Sequence, residues 1–341
     1  MDNKKLIEWY CQNKRELPWR NTISAYHVWL SEIILQQTRV AQGLPYYQKF
    51  VATYPNIQDL AQADEQEVLN LWQGLGYYSR ARNLHFTAKD IVDNYNGIFP
   101  KQYKDLLELK GVGAYTAAAI ASFCYNEPVA VLDGNVYRVL SRIFGIEIPI
   151  NSSEGRKIFK DLVQEQLEKN NPGTYNQAIM EFGALQCTPA NPKCKFCPLS
   201  ADCIAFQTGK VEKLPVKIPK AKQKKRYFHY FLIHYKDSIV LQKRTVKDIW
   251  QNLYQLPLLE VTSNDRYKSE RFDALLTDLS VKTAGYPILK KEVVHKLTHQ
   301  HLYISFWEVT SIAKPKVLIK ISELKNHPMP IVIANFLDNS F

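Results

Sequence analysis

The segment CTPANPKCKFCPLSADC places four cysteines within residues 187–203, separated by six, two and five residues. Thiols packed this densely are expected to bind a metal group or to form disulfides. Residues 1–20 alternate charged and apolar side chains and lack the continuous apolar stretch of a secretory signal. We therefore expect an intracellular protein, in which disulfides are rare. A structural zinc ion and an iron–sulfur cluster are then the leading interpretations.

The arrangement of the four cysteines favours the cluster over zinc. They lie in one run with a single Cys-x-x-Cys pair, and Pro198 follows the second cysteine of that pair. Structural zinc sites more often combine two separated pairs, whereas thiolate runs beside a proline are typical of [4Fe–4S] ligation. Spacing alone leaves zinc open. In either case the ligands would be Cys187, Cys194, Cys197 and Cys203.

Length and charge narrow the class of protein. The chain has 341 residues, enough for two domains with a core each. No run of eighteen apolar residues occurs, so no membrane-spanning helix is expected. The net charge of +11 favours a polyanionic partner such as nucleic acid, because lysine and arginine gain affinity by releasing counterions from phosphates.

The hydrophobic pattern changes once along the chain. Residues 1–208 carry apolar side chains at three- and four-residue spacing, which predicts a mostly helical domain. The lysine-rich residues 209–226 are interpreted as an interdomain linker. In residues 227–341, aromatic and β-branched stretches predict a smaller α+β domain, beginning with a hairpin formed by RYFHYFLIHY and SIVLQKR.

Four residues in the helical domain suggest a site. Gly111 and Gly113 permit a tight turn, after which a helix would present free backbone N–H groups to a phosphate. Asp133 directly precedes a predicted helix, where it would be an N-cap. Glu32 has the apolar helical neighbours Val28, Trp29 and Leu35, so burial should raise its pKa and keep it protonated. A plain turn, a plain cap and an exposed glutamate remain the alternatives on these residues alone.

The cysteine spacing, the Gly-Val-Gly turn and the stretches LPWR, YHVWLSEIILQQTRV and LWQGLGYYSRARNL together resemble the adenine DNA glycosylases of the endonuclease III superfamily. The resemblance covers residues 10–205. It implies a mostly α N-terminal region, a six-helix barrel with a helix-hairpin-helix and a [4Fe–4S] cluster domain. The stretch RTVKDIWQNLYQLPLLE resembles the Nudix-like α+β C-terminal domain of the same enzymes, without the Gly and the Arg and Glu cluster of a true Nudix hydrolase.

The resemblance also implies roles for four catalytic residues. Glu32 would protonate adenine, Asp133 would stabilise the sugar cation, and Tyr115 and Asn135 would orient the site. Superfamily members with lyase activity carry a lysine where this chain has Tyr115, and without that amine no Schiff base can form. The expected activity is therefore that of a monofunctional glycosylase, which removes adenine opposite 8-oxoguanine or guanine.

The remaining implied residues contact DNA. Residues lining the adenine pocket would be Trp19, Arg20, Leu35 and Gln177; those entering the duplex around the flipped base would be Gln37, Thr38, Leu75 and Tyr77; Gly111 and Gly113 would bind phosphate. In the C-terminal domain, Thr298 and His299 would contact the lesion. The family has proline where this chain has Lys110, phenylalanine where it has Leu297 and serine where it has Thr298.

Two other functions fit part of this pattern: a thymine mismatch glycosylase of the same superfamily, and a non-catalytic iron–sulfur sensor of DNA lesions. The resemblance of the C-terminal domain, with its His299, favours adenine over thymine, and the two carboxylates Glu32 and Asp133 favour catalysis over sensing. The expected partner is double-stranded DNA carrying an adenine mismatch. We expect a monomer that binds no membrane and acts in the cytoplasm, on the nucleoid if the source is bacterial.

Overall fold

The chain forms two compact units, each assembled from two separate stretches of sequence. A computed structural model describes residues 1–219, 223–262, 269–283 and 285–341. The first unit comprises Met1–Gln62 and Asn83–Lys220, and the second comprises Ala63–Arg82 and Ala221–Phe341.

The predicted helical character of the N-terminal region is confirmed. Its helices are α1 Asn3–Asn13, α2 Ala25–Leu35, α3 Val40–Thr53, α4 Ile57–Gln62, α5 Glu65–Leu71, α6 Ser79–Tyr95, α7 Tyr103–Leu106, α8 Ala114–Tyr125, α9 Gly134–Ile143, α10 Ser153–Gln166, α11 Pro172–Leu185 and α12 Ile204–Gln207. Of these, α5 and the first residues of α6 belong to the second unit.

Helix α11 forms the centre of the first unit, packing against α1, α8 and α9. Its Tyr175 and Phe182 are buried, and the Phe182 ring lies edge-on to Trp9 with centroids 5.0 Å apart. Gly183 brings α11 close to the start of α9: a Cβ added there would lie 2.7 Å from Asn135 Cβ. The absence of a side chain at Gly183 is therefore what permits this helix contact.

The second unit contains a mixed six-stranded sheet with a helix on each face. The remaining elements are β1 Lys224–Tyr235, β2 Ser238–Ile239, β3 Gln242–Lys243, β4 Tyr254–Gln255, β5 Leu258–Val261, α13 Ser269–Asp278, β6 Ile288–Lys296, β7 Gln300–Thr310, β8 Ile319–Lys320 and α14 Ile331–Leu337.

Strand β1 is central to this sheet, pairing in parallel with β7 and antiparallel with β2 and β5. The predicted hairpin is confirmed, since His234 of β1 pairs with Ile239 of β2. Alternate side chains of β1 point to opposite faces: Tyr230 packs in the core that includes α14, and Phe231 in the core that includes α13.

The unit boundaries differ from the predicted domains at residues 63–82 and within the predicted linker. Residues 63–82, predicted to belong to the N-terminal domain, group with the C-terminal residues. The Tyr78 hydroxyl donates to the Met329 carbonyl (3.2 Å), and Arg82 Nη1 donates to the Gln251 carbonyl (2.8 Å). These contacts join residues 251 and 169 positions apart, so no local pattern in the sequence indicates them.

The predicted linker, residues 209–226, is ordered in its first part. Ile150 N donates to Val216 O (3.0 Å), and Arg142 Nε donates to Leu214 O (3.1 Å). The linker's residues 220–222 lie outside the described part of the chain, and β1 begins at Lys224. Among the described helices, none is both long and apolar enough to cross a bilayer.

Replacing Gly183 by alanine is expected to destabilise the fold, because the new methyl group would meet Asn135 Cβ at 2.7 Å and Asn135 O at 3.0 Å. We expect the free energy of unfolding in urea to fall by about 1–3 kcal/mol, as for other overpacked sites. Gly134→Ala is the matched control because a Cβ there meets nothing within 4 Å. Equal unfolding free energies for the two variants would contradict this account of the contact.

Candidate active site

A cavity of about 490 Å³ in the first unit is lined by all four predicted catalytic residues and by five of the predicted DNA-contacting residues. Its walls come from the segment before α2, from α2 and the turn after it, and from the starts of α8 and α9 and the end of α11. The predicted residues that line it are Trp19, Arg20, Glu32, Leu35, Gln37, Thr38, Tyr115, Asp133 and Asn135.

Glu32 lies on a largely buried helix in the wall of this cavity. Eight of the eleven residues of α2 are buried, and Glu32 itself is 7% exposed. Burial raises the pKa of Glu32 to about 7, and the nearby Asp133 carboxylate contributes, while the Tyr115 hydrogen bond and the Arg20 charge lower it. The predicted rise in pKa is thus confirmed, and a carboxyl group in this state can donate a proton near neutral pH.

Asp133 is both a helix cap and a cavity residue. Its Oδ1 accepts hydrogen bonds from the backbone N–H groups of Asn135 (2.9 Å) and Val136 (2.8 Å), and its Oδ2 accepts from Asn135 Nδ2 (2.9 Å). Burial raises the pKa of Asp133, and these three donors together with Arg138 oppose that rise. Hydrogen bonds of this kind favour the ionised carboxylate.

Tyr115 lies near both carboxyl groups. Its hydroxyl hydrogen-bonds Glu32 and lies 3.8 Å from Met180 Sδ. Burial, followed by the charges of Glu32 and Asp133, raises the pKa of Tyr115 well above the usual range. Tyr115 therefore remains a neutral hydrogen-bonding group and offers no nucleophile.

The cavity also contains residues that the sequence analysis does not identify, chiefly Arg15 and Glu181. Glu181 is 1% exposed and is ion-paired to both Arg15 and Arg20. The only signal in the sequence is one acidic residue within the apolar helical stretch AIMEFGAL. Gln177, predicted to line the pocket, is not among the described lining residues; its Oε1 accepts from the Tyr10 hydroxyl (2.9 Å).

The predicted helix-hairpin-helix corresponds to α7, a turn and α8. Gly111 has φ of +80°, and Gly113 is the N-cap of α8. A Cβ on Gly111 would lie 2.9 Å from Asn83 Cβ, so both backbone conformation and space favour glycine there. Lys110 places its ammonium 4.1 Å from the centroid of the Phe86 ring.

The four clustered cysteines line a single cavity behind α9 and α11, and none is in a disulfide. Arg142 Nη1 lies 3.5 Å from Cys187 Sγ. Burial and neighbouring cysteines raise the pKa of Cys194 and Cys197, the latter to about 11. A bound cationic group would be needed to hold them as thiolates, so this donor set fits a thiolate-ligated metal group. In the described part of the chain, no group of three or more His, Cys, Asp or Glu side chains is arranged to hold a metal ion.

The last set of predicted residues lies in the second unit. Tyr77, Thr298 and His299 line a separate cavity of about 260 Å³, and the hydroxyls of Tyr77 and Thr298 are hydrogen-bonded to each other. Tyr77 is 40% exposed and lies in the left-handed region with φ of +48°. Leu75, also predicted to enter the duplex, is buried.

Comparisons with known proteins agree with both units. Residues 30–165 match the HhH-GPD superfamily of base excision DNA repair proteins, and residues 229–339 match the NUDIX domain. In solved structures, a thermostable thymine-DNA glycosylase is similar with a TM-score of 0.56 and 28% identity, over 60% of this chain and 95% of that one.

Two curated relatives extend the similarity. An adenine DNA glycosylase of Buchnera aphidicola (subspecies Baizongia pistaciae) is 37% identical over 88% of this chain and 83% of its own length. The adenine DNA glycosylase of Homo sapiens is 43% identical over 61% of this chain and 40% of its own length. With its helix-hairpin-helix and Nudix-like units both matched, this chain belongs to the adenine DNA glycosylase family.

Proposed function

We propose that the chain hydrolyses the N-glycosidic bond of adenine mispaired with 8-oxoguanine or guanine in double-stranded DNA. The observation that carries the proposal is the pair of carboxyl groups in one cavity, Glu32 with a pKa of about 7 and Asp133 held by three hydrogen-bond donors. Two acids in opposed protonation states are what glycoside cleavage requires. The names of the curated relatives support adenine as the base.

In this mechanism Glu32 protonates adenine at N7, which makes the base a better leaving group. The C1′–N9 bond then breaks, and the positive charge that develops on the deoxyribose is stabilised by the ionised Asp133. Water adds at C1′ to give the abasic sugar, and its proton restores the acid form of Glu32. Tyr115 holds the Glu32 carboxyl through its hydrogen bond, and Asn135 fixes Asp133. Because Tyr115 is a neutral phenol, the abasic site is released without strand cleavage.

Recognition of the opposite base is assigned to the second unit. Tyr77 and Thr298 present adjacent hydroxyls beside His299, and hydroxyl groups can both donate and accept hydrogen bonds at a purine edge. The Tyr77 side chain is also exposed enough to insert between two unstacked base pairs of the duplex. The net charge of +11 supports duplex DNA as the partner.

We further propose that Cys187, Cys194, Cys197 and Cys203 hold a [4Fe–4S] cluster. When bound, the cluster would cross-link the loop that carries Lys193 and Lys195 and would take no part in bond cleavage. The loop would then present these lysines to a phosphate. The free state of all six cysteines is compatible with a reducing compartment, and we place the monomeric protein in the cytoplasm.

Single-turnover incubation with a labelled duplex carrying adenine opposite 8-oxoguanine tests the function directly. We expect strand breaks only after alkali, because base release leaves an alkali-labile abasic site and Tyr115 cannot supply a lyase amine. A duplex with thymine opposite guanine serves as the matched substrate. Breaks without alkali, preferential thymine release, or binding with no base release would each refute the proposed reaction.

The excision rate is expected to fall about tenfold per pH unit above about 7, because Glu32 acts in its protonated form and that form is lost as pH rises through its pKa. Single-turnover rate constants between pH 5 and pH 9 measure this decline, which is the alkaline limb of the pH–rate profile.

Two variants check that the limb belongs to Glu32. Glu32→Gln should lower the rate by about 10²–10⁴-fold and leave no alkaline limb, with duplex affinity retained. Glu154→Gln, an exposed glutamate on α10, is the control and should behave like the parent protein. A limb that persists in Glu32→Gln would show that another group is the acid.

Metal analysis tests the cluster. The purified protein should contain about four iron atoms per chain and no stoichiometric zinc. Cys197→Ser should lose most of the iron. Cys11→Ser changes an exposed cysteine that is distant in sequence from the four predicted ligands, and it should retain the iron. One zinc per chain, or unchanged iron in Cys197→Ser, would contradict the assignment.

A further inference from the structure

Glu181 lies on the catalytic cavity but has no spare capacity for substrate. Its Oε1 accepts from Arg15 N (2.9 Å), Arg15 Nε (2.8 Å) and Arg20 Nη1 (3.0 Å). Its Oε2 accepts from Arg15 Nη2 (2.6 Å) and Arg20 Nη2 (2.8 Å). A carboxylate has about four acceptor positions, and the five hydrogen bonds to Glu181 share all of them. Glu181 is therefore suited to hold other groups and not to transfer a proton.

The protonation state of Glu181 agrees with such a role. Burial raises its pKa, but the hydrogen bonds from Arg15 and Arg20 lower it further, to about 2. The carboxylate consequently stays ionised throughout the pH range in which the enzyme can work. It supplies a fixed negative charge at 1% exposure on the wall of the cavity.

Arg20 is the part of this network nearest to the chemistry. Its side chain is 14% exposed, and its Nη1 also donates to Arg15 O (2.9 Å). The guanidinium carbon lies 5.7 Å from the centroid of the Tyr10 ring. Three of its five N–H groups are thus occupied, and the other two have no partner among the described residues. Those two remain available to a bound nucleotide.

The positive charge of Arg20 opposes the protonation of Glu32. The groups that interact with Glu32 are Tyr115, Asp133, Arg20 and the thiol of Cys124, and Arg20 is the cation among them. A cation favours the ionised form of a neighbouring carboxyl group, which is the inactive form of a general acid. The site needs the guanidinium as a hydrogen-bond donor and also needs Glu32 protonated.

We propose that Glu181 is a positioning residue that reconciles these two needs: its buried carboxylate fixes Arg20 on the cavity wall and offsets its charge beside Glu32. The inference rests on the proposed function, in which Glu32 is the general acid. It assigns Glu181 two separable effects. One depends on its charge and the other on the length of its side chain.

The charge effect is tested with Glu181→Gln, which keeps the side-chain length. The uncompensated arginines should then ionise Glu32 more readily, so the alkaline limb of the excision rate should move to lower pH by about 0.5 to 1 unit. The rate at pH 6 should change less than the rate at pH 8. A limb that stays in place, or moves to higher pH, would overturn this effect.

The positioning effect is tested with Glu181→Asp, which keeps the charge but shortens the reach by one methylene group. The limb should stay within about 0.2 pH unit of the parent, and the rate should fall about tenfold or more at every pH as Arg20 is displaced. In an Arg20→Met background, Glu181→Asp should have less than about a twofold further effect. Additive losses would show that Glu181 does not act through Arg20.

A third variant covers the case in which changes at Glu181 prevent folding. Arg15 is 36% exposed at the outer side of the network, and Arg15→Gln removes one of the two cations that Glu181 balances. The limb should then move to higher pH, opposite in sign to Glu181→Gln. An unmoved limb in Arg15→Gln would contradict the proposal.

Two controls separate this inference from the proposed function. The parent protein must release adenine with a limb that Glu32→Gln removes; if it does not, the proposed function has failed. If the parent behaves as expected and the limb does not respond to Glu181→Gln or Arg15→Gln, only the role of Glu181 is refuted. Thermal unfolding and duplex affinity of each variant establish that the altered rates belong to folded, DNA-bound protein.

Discussion

Removing one carboxyl group from water is the constraint on which the catalytic cavity depends. Helix α2 buries eight of its eleven residues, and Glu32 is included among them. An ionised carboxylate in such a place loses its hydration, so the neutral acid is favoured and the pKa reaches about 7. The apolar residues of α2 therefore stabilise the fold and also set the protonation state of the acid.

The second carboxyl group, that of Asp133, is half-buried and is surrounded by hydrogen-bond donors. Asp133 caps the N-terminus of α9, so two backbone N–H groups that would otherwise be unpaired donate to its side chain. Asn135 adds a side-chain donor and is itself held by Arg138, whose Nη2 lies 2.8 Å from Asn135 Oδ1. One cavity thus contains Glu32, which has the single donor Tyr115, and Asp133, which has three donors.

Local features of the site could be predicted from the sequence. The burial of Glu32 follows from the spacing of its helical neighbours, and the cap at Asp133 from its place before α9. The β1–β2 hairpin followed in the same way from the composition of two adjacent stretches. Each of these depends on residues within a few positions of one another, so periodicity and capping rules suffice.

Contacts between distant residues could not be predicted. Glu181 meets Arg15 and Arg20 across more than 160 positions, and only the packing of α11 brings them together. The same packing pairs Gln177 with Tyr10, which removes it from the described cavity lining. The grouping of residues 63–82 with the C-terminal unit likewise rests on hydrogen bonds to residues such as Met329, which no local pattern encodes.

That grouping has a consequence for how the protein is made. The second unit is discontinuous, and Asn83–Lys220 separate its two parts in the sequence. A ribosome adds about 5–20 residues per second, so residues 63–82 emerge on the order of ten seconds before the strands that complete their unit begin to appear. During that interval Tyr78, which is buried in the finished protein and donates to the Met329 carbonyl, lacks its native surroundings. Nascent chains of this protein therefore pass through a stage that exposes aromatic surface, where a chaperone that binds apolar segments would act.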